Sequence, residues 1–325
     1  MLFRSGWYDE NGERIFDDEC AWRDCDLTAK YVKTNSLIKP KNIYFRYYDV
    51  YTFYSTYDDE DNTFYTDYTV MPEDAAASKI EWSVSDPEIA EVNENGEVRG
   101  KNTGTVKVTA KLPSGKKNSF SITFLPYDEE IPDIEKISFK KKTVRLKTGS
   151  YTQLRTSIQP KPHYQGEMNW FTMDPKIAVI DDYGIIRAKK PGKTIAVVLD
   201  SESRRYAVCN VTVTATKAYK IKTAKAAKVT GVKAKAVKAG GRRAVKVSWK
   251  KKSGVSGYYV LRSTKKSGKY TKAGTVKKAK TKTWTDRKVS GGKTYYYKVQ
   301  PYTKVGKKTI KGKVSTAAFT RTASA

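Results

Sequence analysis

Residues 82–104 read WSVSDPEIAEVNENGEVRGKNTG, and residues 170–192 read WFTMDPKIAVIDDYGIIRAKKPG. At one constant offset of 88 residues, Trp82 aligns with Trp170, Asp86 with Asp174, Pro87 with Pro175 and Ala90 with Ala178. Gly96 with Gly184 and Gly104 with Gly192 follow without a gap. A period of about 90 residues is too long for a solenoid repeat and suits a duplicated β-sandwich.

Each copy carries the same local physics. The Trp opens a short strand and supplies a large ring for burial. Asp-Pro turns the chain, because proline fixes φ and disfavours a helical residue before it. Ile89, Ala90 and Val92, like Ile177, Ala178 and Ile180, place apolar groups toward a core. Gly96 and Gly184 follow polar turn residues, a hairpin signal in which glycine takes positive φ. Alternating strands are expected at 106–110, 119–124 and 207–213, and Ala207, Cys209, Val211 and Val213 share one face of the last. Cys209 is therefore expected as a small core residue. The expected structural core comprises Trp82, Asp86, Pro87, Ala90, Gly96, Trp170, Asp174, Pro175, Ala178, Gly184 and Cys209, with Trp249 and Tyr295 further on.

Both copies resemble group 2 bacterial immunoglobulin-like (Big2) domains, whose hallmark is Trp-x-x-x-Asp-Pro-x-x-Ala followed by two turn glycines. The resemblance implies immunoglobulin-like sandwiches over 36–126 and 133–215. The second copy also has an early glycine, in LKTGSYTQL at 146–154, and a strand ending at Pro160. The first copy lacks that glycine, and its front half at 42–72 is expanded by several residues.

Residues 228–321 read as a third sandwich. AVKVSWKK at 244–251, GYYVLRST at 257–264 and three further strand candidates arrive at the spacing of an all-β domain. The approach VSGGKTY to Tyr295 resembles a tyrosine corner, with Tyr295, Tyr297 and Val299 inward and Tyr296 and Lys298 outward. This part resembles a fibronectin type III domain. Residues 1–33 resemble the second half of an internalin-type B-repeat, which suggests a fragment of a longer protein. The fold class is all-β: tandem immunoglobulin-like β-sandwiches, two Big2-like and one fibronectin type III-like, after a short N-terminal β segment.

Charge is concentrated at one end. The chain has 325 residues and a formal net charge of +29. Residues 216–325 hold 33 Lys and Arg against one acid, Asp286, while 1–215 carry about −3. Residues 216–227 are expected to form an extended basic linker. Lys250, Lys251, Lys252, Lys265, Lys266, Lys277, Lys278, Lys307 and Lys308 are candidate contacts to a polyanion. Anionic cell-wall polymers are the expected partner class, with glycans and host surface proteins beside them. Nucleic acid ranks lower, because aromatics are not interleaved in the basic stretch 217–241.

Other chemistry finds little support. His163 is the sole histidine, in a Pro-rich loop without a motif, and is expected to be exposed. No catalytic, cofactor or metal site is expected; Cys20 and Cys25 alone are too few ligands for a metal. The acidic run Asp58–Asn62 reads as a solvated hairpin tip, with calcium the competing reading. Eight tyrosines, at 44, 47, 48, 51, 54, 57, 65 and 68, read either as cross-strand packing or as a ligand platform. No stretch is long and apolar enough to span a membrane. The expectation is a non-catalytic structural or adhesive stalk of monomeric modules, extracellular or on a bacterial surface. The competing expectation is a set of accessory modules of a secreted hydrolase.

Overall fold

The computed structural model describes residues 2–8, 14–15 and 28–33 as backbone, and 39–55, 62–72, 75, 79–163 and 167–324 in full. The chain forms two compact units, Met1–Thr214 and Ala215–Ala325.

The first unit opens with a three-stranded antiparallel sheet. Strand Leu2–Tyr8 lies between Arg14–Ile15 and Thr28–Lys33. Two sandwiches with the same strand plan follow. In the first, Asp49–Tyr54, Lys117–Pro126, Gly104–Lys111 and Glu81–Val84 form a four-stranded sheet in that order. In the second, Thr143–Lys147, Tyr206–Thr214, Gly192–Asp200 and Met168–Thr172 do the same. Both sheets begin with a parallel pair, Asp49–Tyr54 beside Lys117–Pro126 and Thr143–Lys147 beside Tyr206–Thr214. The facing layers also correspond: a three-stranded sheet and a two-stranded ladder in each sandwich.

This equivalence locates the expansion of the first copy. Eight residues separate Tyr54 from the next strand, Thr63–Tyr65, whereas three separate Lys147 from Tyr151–Gln153. Extra chain in a connection between two sheets leaves the ladder registers intact, which is why the two sandwiches keep one topology.

Alternation builds each core. Val106, Val108 and Ala110 face Phe120, Ile122 and Phe124 in the first sandwich, all at most 3% exposed. Ala196 and Val198 face Cys209, Val211 and Val213 in the second. Gly96 and Gly184 sit in the left-handed region at φ +86° and +68°, each against the ring of its own repeat tryptophan.

The second unit is a third sandwich. Lys233–Ala239, Arg242–Ser248 and Thr283–Asp286 form one sheet. The other joins Thr271–Val276, Gly257–Ser263 and Thr294–Val305, with Lys308–Lys311 and Ala318–Arg321 both paired to the long strand Thr294–Val305. Tyr295, Tyr297 and Val299 point inward, and the Tyr295 hydroxyl accepts from the Ser290 N–H at 2.9 Å.

Residues 217–226 correct the expectation of an extended linker: they form a helix. Alanine and lysine are strong helix formers, and the Thr216 hydroxyl caps the start by accepting from the Tyr219 N–H. Ala224, the buried residue of that helix, anchors it.

Candidate functional site

The first two sandwiches meet along a seam. Its first-sandwich side comes mainly from the tyrosine-rich segment 42–51, and its second-sandwich side from segment 151–163 and Tyr183. Gln153 is central: its carbonyl accepts from the Tyr48 hydroxyl, and its amide donates to the carbonyls of Phe45 at 2.9 Å and Tyr183 at 2.7 Å. The Arg155 guanidinium lies over the Tyr48 ring and donates to Asn118 Oδ1 at 3.0 Å. Lys161 pairs with Asp49 at 2.8 Å, and the Tyr183 hydroxyl donates to Asp67. Burial beside Tyr151 and Tyr48 pushes the Tyr44 hydroxyl up to about 12.

His163 belongs to this seam. It was expected in solvent, yet it is 3% exposed, with its ring 5.0 Å from that of Tyr51 and Nδ1 3.1 Å from the Pro160 carbonyl oxygen. The loop folds inward because Tyr51 offers an apolar face and Lys161 is tied to Asp49. Burial holds the imidazole below its ordinary range, with Lys161 adding in the same direction.

The seam thus absorbs much of the tyrosine cluster. Tyr47, Tyr48, Tyr54 and Tyr68 also pack on the first core, Tyr65 is exposed, and Tyr57 lies outside the described residues. A cavity of about 60 Å³ remains between Arg46, Tyr48, Arg155, His163 and Trp170. Such a space holds a few waters and is too small for a sugar ring.

Ala90, Gly96, Ala178, Gly184, Cys209, Trp249 and Tyr295 are buried, and Trp82 and Trp170 are half-buried against their cores. Burial pushes the Cys209 thiol up. Pro87 and Pro175 are exposed, which corrects their assignment to the core: they shape the turn from outside. Asp86 and Asp174 are half-buried and accept from the N–H groups of Glu88 and Lys176, each at 3.0 Å.

Of the acidic run 58–62, only Asn62 is among the described residues; its amide bonds the Ser55 N–H and carbonyl, both at 2.7 Å. Asp58 to Asp61, Cys20 and Cys25 lie outside them. Among the described residues, no three His, Cys, Asp or Glu side chains converge as metal ligands. No described helix is long and apolar enough to cross a membrane.

The basic unit presents a different surface. All nine candidate lysines, Lys250 to Lys252, Lys265, Lys266, Lys277, Lys278, Lys307 and Lys308, are exposed. Asp286 cannot neutralise them: it is 3% exposed and committed to Arg262 at 2.8 Å and the Tyr297 hydroxyl at 3.0 Å. Lys235 and Lys246 sit directly opposite each other across two strands, an unfavourable pairing of like charges.

Comparison with known proteins agrees with this architecture. Residues 59–119 match the bacterial Ig-like domain (group 2). The chain is a series of β-sandwiches, one of which carries this match. Two uncharacterized proteins of Clostridium acetobutylicum are similar in sequence. One is 31% identical over 147 residues, which is 45% of this chain and 15% of the relative; the other is 37% identical over 65 residues, 20% and 16%. The chain therefore spans about 15% of the length of these curated relatives. An Fn3-like protein from Clostridium thermocellum is similar at 28% identity with a TM-score of 0.25, covering 29% of this chain and 91% of that one.

The seam was not legible in advance. The one signal for it was tyrosine crowding in the first copy, which reads equally as packing or as a ligand platform.

Proposed function

We propose that this chain is a non-catalytic structural segment of a bacterial surface or secreted protein. Its Ig-like sandwiches serve in series as a stalk, and its basic last unit favours anionic wall polymers or glycans. The seam carries the stalk reading. An ion pair, a cation–π contact and a shared glutamine tie one sandwich to the next at several points. A spacer that must hold its length needs such joints, because a flexible joint leaves relative domain motion as the default.

The basic unit supports the second half. Its surface carries uncompensated positive charge, which attracts polyanions over about 8–10 Å at moderate salt. The order of parts, a partial internalin-type B-repeat, two Big2-like domains and a fibronectin type III-like domain, suits a modular surface protein.

Co-sedimentation of the full chain with purified Gram-positive walls tests this reading. Retention at about 0.15 M NaCl that is released near 1 M is the expected result. No retention on walls, or turnover of a wall polysaccharide by the chain, overturns it.

A further inference from the structure

The outer face of the five-stranded sheet in the basic unit has a pattern that a solvating surface does not need. Tyr296 and Phe319 pair directly across two strands, with ring centroids 5.5 Å apart and planes tilted by 34°. Phe319 is 66% exposed, so most of its ring is open to a ligand. Along the strands, cations flank this pair on the same face. Lys298 is two residues from Tyr296, and Arg321 is two residues from Phe319; each step is about 7 Å. Lys272 and Lys298 both register with Leu261 in the next row. The Lys298 ammonium lies 4.1 Å from the Tyr270 ring centroid, which orders it without neutralising it.

We propose that this face binds an acidic polysaccharide. The Tyr296–Phe319 platform stacks on the apolar face of one pyranose, while Lys298, Lys272 and Arg321 meet carboxylates of the neighbouring units. The inference rests on reading the basic unit as facing polyanions. Charge complementarity selects the sign of the partner, and the rings select its class. A ringless phosphate polymer leaves the platform unused. Single-stranded nucleic acid calls for a run of open rings that track successive bases, whereas the other ring pair of this sheet, Tyr259 stacked on Tyr302, is closed: Tyr302 is 5% exposed and the Lys272 ammonium lies over Tyr259.

Equilibrium binding to the full chain at about 0.15 M NaCl decides the matter, with polygalacturonate, inorganic polyphosphate and oligo-dT as probes. Tyr296→Ala/Phe319→Ala is compared with Lys250→Ala/Lys251→Ala/Lys252→Ala, which removes loop charge only. The expected result is about a tenfold loss of polygalacturonate affinity in the ring variant, with polyphosphate unchanged. The loop variant is expected to weaken both anions alike. Should the double ring variant not fold, Phe319→Ala alone serves, since that side chain is largely in solvent. Equal affinity of wild type and ring variant for polygalacturonate overturns the sheet-face site and leaves the polyanion reading standing. Ring-dependent binding of oligo-dT in preference to polygalacturonate overturns it in favour of nucleic acid. Failure of the wild type to bind any of the three overturns the polyanion reading itself.

Discussion

The Arg155 guanidinium of the second sandwich lies 3.7 Å from the centroid of the Tyr48 ring of the first. Tyr48 also accepts from Asn118 Nδ2 at 3.0 Å and donates to Gln153, so one side chain joins two domains. Arg155→Ala is expected to destabilise the first unit by about 1 kcal/mol. Differential scanning calorimetry reads this as a Tm lowered by about 2–4 °C. Arg155→Lys recovers little of it, because an ammonium cannot stack flat on the ring while bonding Asn118.

Gly184 offers a sharper contrast. A Cβ there would stand 2.6 Å from the Leu154 carbonyl oxygen, and φ is +68°. Gly149 has φ +81° but open space around it. Gly184→Ala is expected to cost about 3 kcal/mol, and Gly149→Ala about 1 kcal/mol. Urea midpoints of the two variants measure the difference.

Asp286 is expected to be the most sensitive polar residue of the basic unit. Its loss leaves Arg262 and the buried Tyr297 hydroxyl without their shared acceptor. Asp286→Ala should cost about 3–5 kcal/mol. The loss should exceed that of any single exposed lysine substitution, which thermal melts of residues 215–325 within the full chain can rank.

His163 makes the seam sensitive to acid. Its folded-state affinity for protons is depressed by burial, so the unfolded chain takes up a proton first as pH falls. Stability is therefore complete above the unfolded pKa of about 6.5 and declines below it. Tyr51, Lys161, Asp49 and the Pro160 carbonyl face the ring. His163→Gln should flatten the Tm–pH curve between about pH 6.5 and pH 5 relative to wild type. Parallel curves would contradict the assignment.

The sandwiches themselves were legible because alternation and turn chemistry act locally. Trp82 with Gly96, and Trp170 with Gly184, can be paired from spacing alone, and the structure brings each pair into contact. The seam was not legible, because Gln153 and Tyr48 lie 105 residues apart and neither carries a motif. His163 was misread for the same reason: its burial comes from Tyr51, on another domain. The helix at 217–226 was missed because it lacks an apolar stripe. Its capping Thr216 and ten residues without glycine or proline were the available signal.

One measurement tests the coupled joint directly. With 5-fluorotryptophan in the full chain, fluorine NMR during a urea titration follows Trp82 in the first sandwich and Trp170 in the second. Val211→Ala opens a cavity in the second core, on a strand outside the seam segments. A coupled joint predicts that the Trp82 signal then also loses its native shift at a lower urea concentration than in wild type. A Trp82 midpoint that stays in place while that of Trp170 falls would show that the sandwiches unfold independently, and the stalk account would fail.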